Sequence, residues 1–302
     1  MEKKIICALL LTTILFGTGC KKESKPPVTE VKEEVLAYKT AKAPLTWIKN
    51  RVSKAEARLK ANEAGMVIWQ AMEAHGGLQN WYENGPVSFR FNYQPLDGGT
   101  PRDTYQTIDT WGSKARHYQV GDSTSQYGWN GQQAWVIAKD STTFTYNTRF
   151  WSLTPYFFMA QPFVLDGKGV NLELLPQKTH QDKLQDVVKV TFDEGTGDAP
   201  DDYYILYFDS ETHRLSVIRY IVSYPGYFEK GKHLPEKLMV LLSSQTINGI
   251  LFPKSYKTHW LLEDETAGEH ITTIDLSNVV FLPGLKENYF AIPEEAKILE
   301  GL

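Results

Sequence analysis

The chain has 302 residues, of which 42% are hydrophobic and 13% aromatic, and it carries a formal net charge of −4. That is enough apolar material for one large packed domain, and a mildly acidic balance argues against nucleic acid, which needs a basic footprint. Both cysteines, Cys7 and Cys20, lie near the start, so the bulk of the chain has no disulfide, thiol nucleophile or Cys-ligated metal.

Glu2, Lys3 and Lys4 precede an apolar run from Ile5 to Phe16, then Gly17-Thr18-Gly19 and Cys20. A bilayer span needs about 20 apolar residues, so this shorter run has the layout of a secretory signal. A cysteine directly after small residues resembles a bacterial lipoprotein signal. The resemblance implies that residues 1–19 are removed and that acylated Cys20 becomes the mature N-terminus, although Gly17 stands where the pattern prefers a Leu-like residue. A soluble secreted protein cut near Gly19 is the alternative. Removing Glu2, Lys3 and Lys4 would leave the mature side chains at −5. Residues 20–45 are rich in Lys, Glu, Pro and Thr, a tether composition too polar to fold alone. Residues 46–302 are expected to form one domain.

Ser53 and Glu56 have capping-box spacing and predict a helix start. Ile68, Ala71, Met72 and His75 fall on one helical face. Gly65 weakens the middle of that helix, and Gly76-Gly77 supply the positions that end it. From Val87 the period becomes two: Val87, Phe89, Phe91 and Tyr93 alternate with polar residues. Further strands are predicted at about 104–111, 114–120, 125–129, 132–138, 142–147, 169–175, 186–193, 202–209, 214–224, 237–247, 250–261 and 269–281. Asn248-Gly249 predicts a type I′ hairpin, with Asn130-Gly131 a similar turn. Short turns between neighbours favour an antiparallel meander.

Residues 148–165 interrupt this pattern with dense aromatics, and Pro155 and Pro162 rule out one straight helix. The segment must be buried or cover something apolar. Tyr203, Ile205 and Tyr207 point one way while Tyr204, Leu206 and Phe208 point the other. Both faces of that strand therefore need cover; the N-terminal helix and the 148–165 segment are the available covers.

Four stretches carry a wider resemblance. They are Ala71-Met72-Glu73-Ala74-His75-Gly76-Gly77 with Trp81, Tyr127-Gly128-Trp129-Asn130-Gly131 with Ala134-Trp135, Tyr204-Ile205-Leu206-Tyr207-Phe208-Asp209 with Thr212 and Leu215, and Phe290-Ala291-Ile292-Pro293. In these the chain resembles the outer-membrane lipoprotein sorting and carrier superfamily (LolA/LppX/RseB-like). The resemblance covers roughly residues 50–300. It implies a mainly β fold with few helices, a curved antiparallel half-barrel whose concave face is covered by helices. It also implies a hydrophobic ligand, a lipid or acyl chain, or a protein partner in the envelope.

The sequence shows no decisive catalytic motif. His75 before the glycines reads as a helix-end residue favourable to the dipole. Gly121-Asp122-Ser123 resembles the opening of an esterase motif, but turn chemistry explains it better. Asp193, Glu194, Asp198, Asp201 and Asp202 crowd one loop without EF-hand ligand order, and a solvated connection is the simpler reading. The histidines are scattered, with no H-E-x-x-H pair. No catalytic residue, metal or cofactor is assigned. The aromatic set is the remaining signal: Trp129, Trp135, Phe150, Trp151, Tyr156, Phe157, Met159, Phe163, Tyr207 and Tyr220 are candidates to line a pocket beneath a movable 148–165 lid.

The expectation is a lipid-anchored envelope protein, at the outer membrane of a Gram-negative bacterium, that binds a hydrophobic ligand without enzymatic activity. Its partners would be the membrane, through the anchor, and the lipid, with no nucleic acid. A filled barrel that binds an envelope protein is the alternative, and a lipid or glycan hydrolase with two acidic groups in one cleft is a further one.

Overall fold

The structure is a computed structural model and describes residues 39–300. The signal segment, Cys20 and most of the tether lie outside the described residues. Within them, no helix is long and apolar enough to cross a membrane.

Three helices come first: α1 (Leu45–Leu59), α2 (Glu63–Ala74) and α3 (Leu78–Asn84). The capping-box expectation at Ser53 is wrong. Helix α1 starts after Pro44, whose extended backbone sets the entry, and Ser53 lies in its interior. Glu56 instead pairs with Lys60, 2.6 Å away at i, i+4. The side-chain cap belongs to α2, where Asn62 Oδ1 accepts from the Gly65 amide at 2.8 Å. Gly65 also has a packing role: a Cβ there would meet the Leu59 carbonyl oxygen at 2.1 Å, so only glycine lets α2 begin against the end of α1. Ile68, Ala71, Met72 and His75 are buried together, as their spacing predicts.

Thirteen strands form one antiparallel sheet. Strands β1 (Val87–Pro95), β2 (Arg102–Ile108), β3 (Ala115–Gln119), β4 (Asp122–Trp129) and β5 (Ala134–Ile137) step outward from the middle to one side. The chain then crosses through α4 (Thr148–Trp151), α5 (Thr154–Met159) and a 3₁₀ turn at Phe163–Leu165 to the opposite edge. From there β6 (Val170–His180), β7 (Lys183–Phe192), β8 (Tyr204–Asp209), β9 (Leu215–Tyr220), β10 (Lys237–Ile247), β11 (Ile250–Leu261) and β12 (Ala267–Phe281) step back until β12 pairs with β1. A last short strand, β13 (Lys297–Leu299), covers β5. The sheet is a curved half-barrel, with the helices and the crossing segment on its concave face.

The strand expected at 142–147 does not form. Asp140 turns the chain by accepting from Thr142 N and Oγ1 at 2.8 and 2.7 Å, and β13 already occupies the edge of β5. Phe144 and Tyr146 instead pack edge-on against Tyr127. The β10–β11 turn has positive φ at both Asn248 and Gly249, as a type I′ hairpin requires. At Asn130-Gly131 only Gly131 has positive φ, and Asn130 Oδ1 accepts from the amides of Gln132 and Gln133. That turn is therefore of a different kind. Gly121 lies in the β3–β4 turn and Asp122-Ser123 open β4, with Ser123 exposed.

Both faces of β8 are apolar, as its alternation predicts. Leu206 and Phe208 join the main core under the helices. Ile205 and Tyr207 join a smaller cluster on the other face with Val187, Val217, Leu238 and Val240. The cover on that outer face is neither of the two expected. Arg219 lies across it, held by Glu236 (2.9 and 3.1 Å), Glu265 (3.0 Å) and the Tyr207 hydroxyl (3.2 Å). Glu265, in the β11–β12 turn, also pairs with Lys178 of β6. Two elements distant in strand order, β6 and the β11–β12 turn, thus meet beside the small cluster.

Candidate functional site

Strand register places one row of side chains along a rim of the sheet. Tyr204 pairs with Tyr220, Tyr220 with Lys237, and Lys237 with Trp260. Tyr204, Tyr220 and Lys237 share the concave face, because Lys237 is in phase with buried Met239 on β10. The same alternation puts Arg102 in phase with Thr104, Gln106 and Ile108 on β2. The end of β1, the starts of β2, β8 and β10, and the end of β9 meet at this rim because their neighbours run antiparallel. The 193–203 and 221–236 connections leave from it.

Beneath the crossing segment, and open at this rim, is a cavity of about 540 Å³. Ligand pockets fall between about 300 and 1,000 Å³ and are mostly apolar with a few placed polar groups. The interior wall includes Phe91, Phe157, Phe158, Val170, Phe192 and Ile274. Tyr227, nearly half exposed, and Gly197 border the opening.

The crossing segment is fixed to the core at several points. The Phe163 ring stacks on Trp81 with centroids 4.9 Å apart and planes at 4°. The Tyr256 hydroxyl donates to the Phe158 carbonyl at 3.3 Å, and His117 Nε2 donates to the Ser152 carbonyl at 2.8 Å. Arg58 donates to the Leu165 carbonyl at 2.7 Å. The segment is thus tied to the core along its length and forms one wall of the cavity. The two rim connections are anchored as well, 193–203 through Asp198 to Arg149 and to 221–236 through Asp202 and Ser223.

Of the ten aromatic and sulfur candidates, Phe150, Trp151, Tyr156, Phe157 and Tyr220 line the cavity. The other five lie outside its lining, each for a physical reason. Met159 is buried in the main core, and Phe163 is consumed by its stack on Trp81. Tyr207 points to the outer face toward Arg219. Trp135 lies flat over Gly128, where a Cβ would come within 2.7 Å of its ring, and beneath Arg116. Trp129 sits one layer behind the wall, with the Arg149 guanidinium 3.7 Å from its ring centroid.

Sequence reading missed the polar groups of the site. Arg102 lies against three rings, Trp151 at 4.2 Å, Tyr93 at 4.9 Å and Tyr146 at 5.4 Å. Its Nε is buried without a hydrogen-bond partner. Lys237 lies 5.1 Å from the Trp260 ring; burial lowers its pKa, opposed by the charge of Asp97. Arg149 is paired with Asp198 at 2.5 Å. Asp202 accepts from Ser223 N and Oγ at 2.6 and 2.8 Å, and burial raises its pKa. A signal did exist: Arg102 and Lys237 are charged residues in phase with the buried face of their strands.

The acidic loop is built into this wall. Asp198 and Asp202 hold the partners just described and Asp193 accepts from Asn171 at 2.8 Å, so these carboxylates do not converge on one point. Among the described residues no cluster of His, Cys, Asp or Glu could hold a metal ion. His75 is buried; its Nδ1 donates to the Ala71 carbonyl at 2.7 Å. Burial lowers its pKa to about 4, so it serves the helix end as a neutral donor rather than as a charge.

Among solved structures the chain is similar to a LolA superfamily protein from Nitrosomonas europaea, at 13% identity and a TM-score of 0.49, over 77% of this chain and 99% of that one. It is also similar to a DUF1329 family protein from Desulfovibrio piger, at 14% identity and a TM-score of 0.48, over 76% and 98%. The Mycobacterium tuberculosis lipoprotein LppX aligns at 11% identity and a TM-score of 0.23, over 71% and 93%. No curated protein matches the chain. A family model, described as a family of unknown function (DUF6503), matches residues 123–274, half of the chain and most of the cavity wall from β4 to β12. The protein belongs to the DUF6503 family.

Proposed function

We propose that this protein holds a hydrophobic ligand, a lipid or acyl chain, in the concave cavity of its half-barrel. The observation that carries the reading is the cavity itself: about 540 Å³ walled by aromatic and aliphatic side chains and open at one rim. Phe157 and Phe192 meet Tyr204 and each other, and both also border the open volume. Burying an alkyl chain there contributes about 0.8 kcal/mol per CH₂ before ordering is subtracted.

The lipoprotein signal at Cys20 supports placing this activity at a membrane surface in the envelope, and the outer membrane is our choice. The anchor favours a fixed post over shuttling. The binding role requires no catalytic group, and the two carboxylates on the wall, Asp198 and Asp202, are each engaged by a neighbour.

The test is to purify the full-length protein from a Gram-negative host and combine native mass spectrometry with solvent extraction. The proposal expects a stoichiometric lipid-sized adduct, depleted in Phe157→Ala. A clean mass that remains clean after incubation with envelope lipids would reject it.

A further inference from the structure

The whole chain is acidic, at −4, yet the cavity wall carries three cations, Arg102, Arg149 and Lys237, against two carboxylates, Asp198 and Asp202. Arg149 and Asp198 neutralise one another at 2.5 Å. Asp202 is spent on the Ser223 amide and hydroxyl. Arg102 and Lys237 have no carboxylate within ion-pair distance among the described residues; Lys237 feels the charges of Asp97 and of Arg102 without pairing with either. Both sit on the concave face at the same rim, where the cavity opens.

Arg102 is the more telling of the two. Its guanidinium is held by Trp151, Tyr93 and Tyr146. Aromatic faces attract a cation and fix its orientation, but they leave its N–H donors unsatisfied. A buried guanidinium donor without an acceptor is unfavourable unless an acceptor arrives, and Nε is such a donor. Carboxylates and phosphates match the guanidinium fork, and Lys237 adds a point charge nearby.

We propose that the ligand is a single-chain amphiphile bearing one anionic oxygen head group, a carboxylate or a phosphate, bound at the rim by Arg102 and Lys237 with its alkyl chain running inward past Phe157 and Ile274. The surplus of positive charge on the wall favours an anionic head group. This rests on the proposed function, since it requires the cavity to hold an alkyl chain.

The full-length protein, stripped of bound lipid on a hydrophobic resin, is loaded with the neutral fluorophore N-phenyl-1-naphthylamine. Hexadecanoate, hexadecyl phosphate, hexadecanol and inorganic phosphate are then titrated as competitors. The expected result is displacement by hexadecanoate or hexadecyl phosphate at concentrations at least tenfold below hexadecanol, with none by inorganic phosphate. In Lys237→Gln and Arg102→Gln, measured separately, that preference, read as the ratio of anionic to hexadecanol displacement within each variant, falls several-fold. Should Arg102→Gln fail to fold, Lys237→Gln alone carries the test. Equal displacement by hexadecanol and hexadecanoate overturns the head-group assignment and leaves the hydrophobic cavity standing. Displacement by inorganic phosphate alone identifies a small-anion site and overturns it too. No displacement by any alkyl compound overturns both proposals.

Discussion

Arg51 on α1 grips Asp166, the residue at which the crossing segment ends, through two hydrogen bonds: Nε to Oδ2 at 2.5 Å and Nη2 to Oδ1 at 2.7 Å. The Tyr82 hydroxyl adds a third, at 2.7 Å. Asp166 is 6% exposed, and its hydrogen bonds raise the Arg51 pKa. This clamp ties the first helix to the far end of the cavity wall, 115 residues later in the chain.

Arg51→Ala leaves the Asp166 carboxylate buried with one partner. The expected loss is about 1–3 kcal/mol, the penalty for a buried group left short of hydrogen bonds. Arg51 is itself one-third exposed, which holds the effect below that of a fully buried pair. Urea unfolding would show a lower midpoint at unchanged slope. An unchanged midpoint would mean that the clamp is incidental.

Gly76 has φ +113, and a Cβ there would meet the Gly249 carbonyl oxygen at 2.1 Å. The end of α2 and the β10–β11 hairpin approach so closely that the Leu251 amide donates to the His75 carbonyl at 2.9 Å. Gly76→Ala is expected to destabilise by about 1–3 kcal/mol from backbone strain alone, with displacement of the hairpin adding to it. Thermal unfolding checks this; a substitution that leaves Tm unmoved would refute the close approach.

His75 and His117 are both buried, and burial lowers each pKa to about 4 from an ordinary 6.5. The unfolded chain therefore binds more protons than the folded one between those values. The stability each contributes is fully present above about pH 6.5 and is lost as pH falls through about 4, on the order of 3 kcal/mol per histidine. Arg214, the charge felt by His75, acts in the same direction as burial. The urea midpoint of His117→Gln should fall less steeply across this window than that of the parent protein. Parallel profiles would show that the fold does not lower the His117 pKa.

Much of the fold is legible in the sequence wherever a local period reports a burial pattern. The β10–β11 hairpin follows from Asn248-Gly249 between apolar runs, and both bounds of its strands agree with the structure. The two-faced burial of β8 follows from alternating apolar residues at every position from Tyr203 to Phe208. What fails is what depends on a distant partner. The three residues of β13 have no period of their own, and their place is set by the open edge of β5. Phe144 and Tyr146 alternate like a strand, but with that edge taken they pack as single rings. The site divides in the same way. An aromatic side chain reads the same whether it faces a cavity, as Phe157 does, or fills a stack, as Phe163 does. Arg102 and Lys237 were visible in principle as charges in phase with buried positions, an anomaly that periodicity exposes once the strand bounds are known.

Phe157 faces the cavity and touches Tyr204 with ring centroids 4.5 Å apart, while Phe163 lies in the core. Phe157→Ala should weaken retention of an alkyl ligand about tenfold with a small change in stability. Phe163→Ala should instead lower stability by about 3–5 kcal/mol. Ligand retention and urea midpoint, measured on both variants, separate wall from core. Equal stability losses for the two would place Phe157 in a filled core.

The concave cavity is the centre of the account, and a heavy-atom label locates its occupant directly. Crystals of the protein grown with 12-bromododecanoate would be measured for anomalous scattering at the bromine edge. One strong bromine peak is expected within the concavity, among Phe157, Phe192 and Ile274, with continuous density leading outward to the rim beside Arg102 and Lys237. Bromine found only on the outer face, or a cavity closed by inward rotation of Phe150 and Phe157 with no bromine inside, would contradict it.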